Sequence, residues 1–190
     1  MLYDFLLGRS KIVKTQNMTR IAVMTAVLCI LGPLSVPVGP VPISLATLGI
    51  LLSVYVLGTK EGTAACILYL AIGAIGLPVF SGFQGGFAKI AGPTGGYMLG
   101  YLFLALIAGW FIHKYYDIIW LQFIGMCLGT VVLYVFGTVW LAHVAGMTFM
   151  EAMAAGVLPF IIGDVLKMIC AIVLGRTINR RLKVGEFRKE

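Results

Sequence analysis

Six apolar runs, separated by glycine, proline or charge, govern what this chain can become. They cover about residues 21–38, 43–57, 63–79, 95–112, 118–143 and 156–178. A bilayer core about 30 Å thick takes about 20 helical residues. Backbone inside it has no water to bond, so an open chain crosses as helix. The pattern therefore predicts an all-α integral membrane protein with six transmembrane helices. The second and third runs are short for that core, which predicts broken helices or dipping loops beside them. Composition agrees: the chain is 61% hydrophobic and 11% charged, where soluble domains carry about 25% charged residues.

The basic residues orient this arrangement. Arg9, Lys11, Lys14 and Arg20 precede the first run, and Arg176, Arg180, Arg181, Lys183, Arg188 and Lys189 lie at or beyond the end of the last. Lys60 and Lys114 fall in the second and fourth connections, on that same side. Only Lys89 falls on the opposite side, and Lys167 alone lies within a run. Six spans put both termini on one face, and the basic excess marks that face as cytoplasmic. The expected organisation is a cytoplasmic tail over residues 1–20, a six-helix domain over 21–178 and a basic cytoplasmic tail over 179–190. The net charge of +7 is thus a topology signal in a protein embedded in lipid, and no nucleic-acid partner is expected. The N-terminus resembles a signal peptide but lacks a small-residue cleavage site, so it is expected to be retained.

The connections on the outer side are unusual. Pro37, Pro40 and Pro42 fall within six residues, which excludes regular helix. Residues 77–93 contain Phe80, Phe83 and Phe87 among glycines, too apolar for a solvated linker. Two readings stay open: a loop folded back over a ligand, or an interfacial loop touching headgroups.

Asp164 and Lys167 break the sixth run. Three residues apart on a helix, they share a face. A charge at the centre of a bilayer costs about 2.5–3.5 kcal/mol on insertion scales, so an intramembrane pair needs a purpose. Asp164 lies twelve residues before Arg176, or roughly 18 Å of helix, which places it toward the outer side. The pair either locks two helices or forms a polar site for a solute beneath the outer loops.

Enzyme signatures are missing. The sequence has no GxxxxGK[ST], HExxH or GxSxG stretch. His113 and His143 are predicted at opposite membrane faces, so they cannot share a metal. Cys29, Cys66, Cys127 and Cys170 lie inside apolar runs without CxxC spacing, as small packing residues do. No cofactor is expected. An integral-membrane enzyme using Asp164 and Lys167 as an acid–base pair, or a purely structural assembly subunit, are the competing classes. Gly92, Gly96 and Gly100, like Gly125 and Gly129, have the four-residue spacing that lets helices approach closely. Ala22 and Ala26 offer a similar flat surface near the inner end of the first run.

Three stretches together resemble the BioY family. They are Gly76-Leu77-Pro78-Val79-Phe80-Ser81-Gly82-Phe83, Gly92-Pro93-Thr94-Gly95-Gly96-Tyr97, and Pro159-Phe160-Ile161-Ile162-Gly163-Asp164-Val165-Leu166-Lys167. Val41-Pro42-Ile43-Ser44-Leu45 is similar too. The resemblance implies a biotin-specific substrate-binding subunit (S component) of an energy-coupling factor (ECF) transporter, in the cell membrane. It implies a transmembrane coupling subunit and two cytoplasmic ATPases as partners, which agrees with the missing phosphate loop. It makes Ala22 and Ala26 the docking pair. Asp164 suits the ureido N–H groups of biotin. Lys167 suits the ureido oxygen or the carboxylate, Lys89 is a second candidate for the carboxylate, and Tyr97, Phe80 and Phe83 are candidates to pack on the rings and tail.

Overall fold

The computed structural model describes residues 2–38 and 40–182, with side chains from 15 to 181. Lys183, Arg188 and Lys189 of the basic tail therefore lie outside the described residues, as do the side chains of Arg9, Lys11 and Lys14. The described chain forms α1 (Leu2–Leu31), β1 (Ser35–Val36), β2 (Ile43–Ser44), α2 (Ala46–Leu57), α3 (Thr59–Ala74), α4 (Phe87–Ala91), α5 (Gly95–Lys114), α6 (Ile119–Ala145), α7 (Phe149–Gly156) and α8 (Ile161–Leu182).

The first apolar run does not stay helical to residue 38. Gly32 and Pro33 end α1, because proline disfavours helix in the residue before it and lacks an N–H of its own. The chain then turns back on itself as a short antiparallel ribbon, with Ser35 opposite Ser44 and Val36 opposite Ile43. The Ser44 hydroxyl donates to Gly32 O at 2.8 Å and accepts from Ala46 N at 3.0 Å. One side chain thus closes α1 and opens α2. At the other end, α1 runs without a break through Arg20.

Helices α2 and α3 are short, at 12 and 16 residues. Helix α3 starts four residues before the run read from the sequence and stops at Ala74, leaving residues 75–79 to the loop. The two helices touch closely at Gly62, where an added Cβ would lie 2.6 Å from Val54 Cα.

Helices α5 and α6 form the most extensive pair, and their glycines explain it. A Cβ on Gly96 would come 2.3 Å from Trp140 Cβ, one on Gly100 2.9 Å from Leu133 Cα, and one on Gly129 3.0 Å from Leu104 Cδ1. Ascending residues on α5 meet descending ones on α6, so the pair is antiparallel. His113 and His143 fall in the last turns of α5 and α6, at opposite ends of this pair.

The sixth run starts its helix late, at Ile161 instead of residue 156, and a separate short helix, α7, forms in the connection before it. Helix α7 opens with a capping box: Thr148 Oγ1 accepts from Glu151 N, and the Glu151 carboxylate accepts from Thr148 N at 2.8 Å. Its axis is bent by 48° from that of α8 across residues 157–160. Pro159 sits in this break and does not itself start the helix. Helices α5 and α6 are long and apolar enough to cross a membrane, and α7 with α8 makes a third span if the bent pair is taken as one. Between the helices, Leu28, Ile50, Tyr69, Leu104, Met126 and Leu141 are fully buried. Val131, Val135, Ile162 and Val173 face outward and are exposed, a surface that hydrocarbon solvates and water does not.

Candidate functional site

Asp164 stands in the first turn of α8, where its N–H bonds to Phe160 O at 2.8 Å. The positive end of the helix dipole favours a carboxylate there. Lys167 follows one turn later and donates from Nζ to Asp164 Oδ1 at 2.8 Å. Two other helices reach the same carboxylate. The Tyr134 hydroxyl of α6 donates to Oδ2 at 2.6 Å, and the Thr47 hydroxyl of α2 to Oδ1 at 3.4 Å. Tyr101 of α5 lies within electrostatic reach. Asp164 and Lys167 are both buried, 6% and 8% exposed.

This arrangement has a polarity of its own. The carboxylate is shared among three donors from three helices. The ammonium carries three N–H groups and makes one hydrogen bond among the described residues. Buried polar groups are as a rule satisfied, so the site holds donor capacity in excess beside a strong acceptor. That combination suits a small solute with an acceptor next to a donor.

Beside the pair, α6, α7 and α8 border a cleft of about 410 Å³. Tyr134 and Asp164 form part of its wall together with Thr130, Val135, Met153 and Val165. None of its lining residues comes from the loops 33–44 or 77–93.

The other residues singled out from the sequence are dispersed. Phe80 is fully buried, stacked edge-on against Tyr69 at 5.7 Å between centroids, with its ring over Gly73. Phe83 is 67% exposed and holds a left-handed backbone at φ 57°. Tyr97 is buried at the junction of α5, α6 and α7: its ring covers Gly137, and its hydroxyl donates to Gly156 O at 3.0 Å. Lys89 is half-buried on α4, where desolvation pushes its pKa below the ordinary lysine value. Ala22 and Ala26 are exposed on α1, next to exposed Val23 and Ile30, while Thr25 and Leu28 turn inward. Tyr134 and Thr47 are the residues that sequence reading missed. Their signal was available: each is a hydroxyl set in or beside an apolar run, and such groups seek a polar partner.

A buried ion pair, ringed by hydroxyls from neighbouring helices and set in a bundle with apolar helices long enough to cross a membrane, marks the class as a helical membrane protein with a polar site in its interior. The comparisons narrow this class. Residues 8–184 match the model of the BioY family, and the chain belongs to that family. It is 35% identical over 166 residues to a probable biotin transporter of Pyrococcus horikoshii, covering 87% of this chain and 98% of that one. It is 37% identical over 175 residues to the biotin transporter of Rhizobium etli, covering 86% and 93%. Its fold superimposes on the crystal structure of the S-component for biotin from an ECF-type ABC transporter with a TM-score of 0.81, at 34% identity, covering 88% of this chain and 92% of that one.

Proposed function

We propose that this chain is the biotin-binding S component of an ECF transporter. Membership of the BioY family supplies the substrate class, and the buried Asp164–Lys167 pair is the observation that carries the reading to particular atoms. A cyclic urea presents an N–H beside a C=O. The pair presents an acceptor beside a donor at the same spacing in kind, so Asp164 takes a ureido N–H while Lys167 gives one of its remaining hydrogens to the ureido oxygen. Tyr134 and Thr47 hold the carboxylate in place. Lys89, half-buried without an acidic partner among the described residues, is the candidate for the biotin carboxylate. Tyr97, Phe80 and Phe83 act on the ligand through the packing of the surrounding helices and loops.

The protein is not an enzyme: the relatives it matches are named as transporters. In the proposed assembly, the chain crosses the cell membrane six times with both termini cytoplasmic, as the basic residues indicate. Biotin is captured from the outer side. Ala22 and Ala26 face a transmembrane coupling subunit, and two cytoplasmic ATPases supply the energy.

Protein purified from cells grown with biotin, then denatured and extracted, tests the reading by mass spectrometry. Near-stoichiometric biotin is the expected result, with little or none in Asp164→Asn. Absence of biotin from the wild-type protein, together with no heat on titration, would overturn it.

A further inference from the structure

Helix α4 carries Lys89, and packing alone does little to hold it. It is five residues long and none of them is buried. Among them, only Ile90 leans on the core. Hydrogen bonds tie its two ends instead. Before it, Gly86 N donates to Gly73 O at 2.7 Å. After it, Gly92 O accepts from Gly95 N at 3.0 Å and from the Trp140 indole Nε1 at 2.9 Å. The Thr94 hydroxyl adds a longer bond to Lys89 O at 3.4 Å. Among the described hydrogen bonds at this end, only the indole's comes from a helix distant in the chain.

Bare backbone seats that indole. A Cβ on Gly96 would stand 2.3 Å from Trp140 Cβ, and one on Gly95 3.1 Å from Nε1. Trp140 follows Tyr134 on α6 by six residues, or roughly 9 Å of helix, and Tyr134 holds the Asp164 carboxylate. One helix thus fixes two polar elements: Asp164 through Tyr134, and the segment bearing Lys89 through Trp140. The Lys89 ammonium makes no hydrogen bond or ion pair among the described residues, so its donors are free for an anion. We propose that Trp140 is a positioning residue that sets where Lys89 stands, and so gives the protein a preference for a ligand ending in a carboxylate. The proposal rests on the reading that Lys89 meets the biotin carboxylate. The attraction between two charges falls as they separate, so a displaced α4 costs affinity for a charged tail and leaves an uncharged one indifferent.

Displacement calorimetry in detergent, with biotin and with biotinamide, whose tail is uncharged, provides the test. Trp140→Phe keeps a ring beside Gly96 and removes the N–H. It should weaken biotin by about three- to tenfold, the worth of one neutral hydrogen bond, and leave biotinamide at its wild-type affinity. Lys89→Met should weaken biotin by itself, and adding Trp140→Phe to it should cost nothing further, because two residues acting through one contact are not additive. Site-specific benzothienylalanine at position 140 keeps the bicycle without the N–H, and gives the same reading if the phenylalanine variant does not fold. Equal losses for biotin and biotinamide overturn the inference, as does a loss that persists in full on the Lys89→Met background. Wild-type affinity for biotin in Lys89→Met overturns the Lys89 assignment and the inference with it. Weakened biotin in Lys89→Met with unchanged biotin in Trp140→Phe overturns the inference alone.

Discussion

At the scale of single residues, the protein concentrates its polarity on one carboxylate. Three helices donate to Asp164, and each donor has a different consequence when removed. Asp164→Asn replaces the charged acceptor, and on the proposed function it should weaken biotin binding by about 1.5–3 kcal/mol, the range for hydrogen bonds to charged groups. Calorimetric titration in detergent measures it, and an unchanged affinity would make the pair structural. Tyr134→Phe removes the 2.6 Å bond to Oδ2 and keeps the ring. The oxygen left without its donor should lower the stability of the ligand-free protein by about 1–3 kcal/mol, read as a fall in the thermal midpoint. An unchanged midpoint would mean that another donor replaces the tyrosine at once.

At the scale of elements, the loop at 77–93 and α7 show how local chemistry fixes position. The sequence leaves open whether the 77–93 loop, with Gly82, Gly85 and Gly86, folds back over a ligand. In the structure Gly82 and Gly86 hold positive φ, 74° and 92°, and only Gly85 is required for a close fit. Gly82 N bonds to Pro33 O at 3.1 Å and Gly86 N to Gly73 O at 2.7 Å, so the loop is tied to the turn after α1 and to α3. A Cβ on Gly85 would stand 2.2 Å from Leu77 O, a clash with backbone. Gly85→Val should therefore displace the loop and cost about 1–3 kcal/mol of stability, as overpacking does. Whether the loop also orders over ligand is decided by hydrogen exchange across residues 77–93 with and without biotin: the proposed covering role requires added protection when biotin is bound.

Helix α7 depends on its capping box. Glu151 is held below its ordinary value of 4.5, chiefly by the hydrogen bond from the Thr148 backbone and then by that residue's side chain. A carboxylate whose folded value is depressed stabilises the fold above its unfolded value and loses that contribution as pH falls through the folded one. Amide protection of residues 149–156 should accordingly be full above pH 4.5 and decline on further acidification. Glu151→Gln should flatten that dependence. An unchanged acid profile in the variant would assign the loss to another group.

At the scale of the whole molecule, the faces of α1 divide the work. Thr25 and Leu28 turn into the bundle, while Ala22 and Ala26 lie on the exposed side. Small residues let a second helix approach closely. On the proposed assembly, replacing both alanines with tryptophan should abolish capture of a coupling subunit in a pull-down. Biotin titration of the isolated protein should be unaffected, since both alanines are exposed and the side chains bonded to Asp164 come from α2, α6 and α8. Loss of biotin binding with normal capture would reverse the assignment of that surface.

The sequence by itself determined what depends on near neighbours. Apolar runs of bilayer length specify helices because lipid offers the backbone no partners. Asp164 and Lys167 share a face because three residues make most of one helical turn. The α5–α6 contact was legible in glycines spaced by four, and the BioY family in three short stretches. The tertiary structure decided what depends on residues far apart in the chain. Tyr134 and Thr47 reach Asp164 across 30 and 117 positions, and no local pattern encodes that meeting. The same holds for Phe80, drawn into the core by the ring of Tyr69 and the space over Gly73, and for Phe83, turned outward by a tight turn three residues later. The sixth run reads as one span from residue 156, yet its helix starts only at Ile161, and the connection before it forms α7. Pro159 weakens the backbone there, but it is the docking of Tyr97 onto Gly156 that sets where α7 goes and leaves the cleft beside the pair.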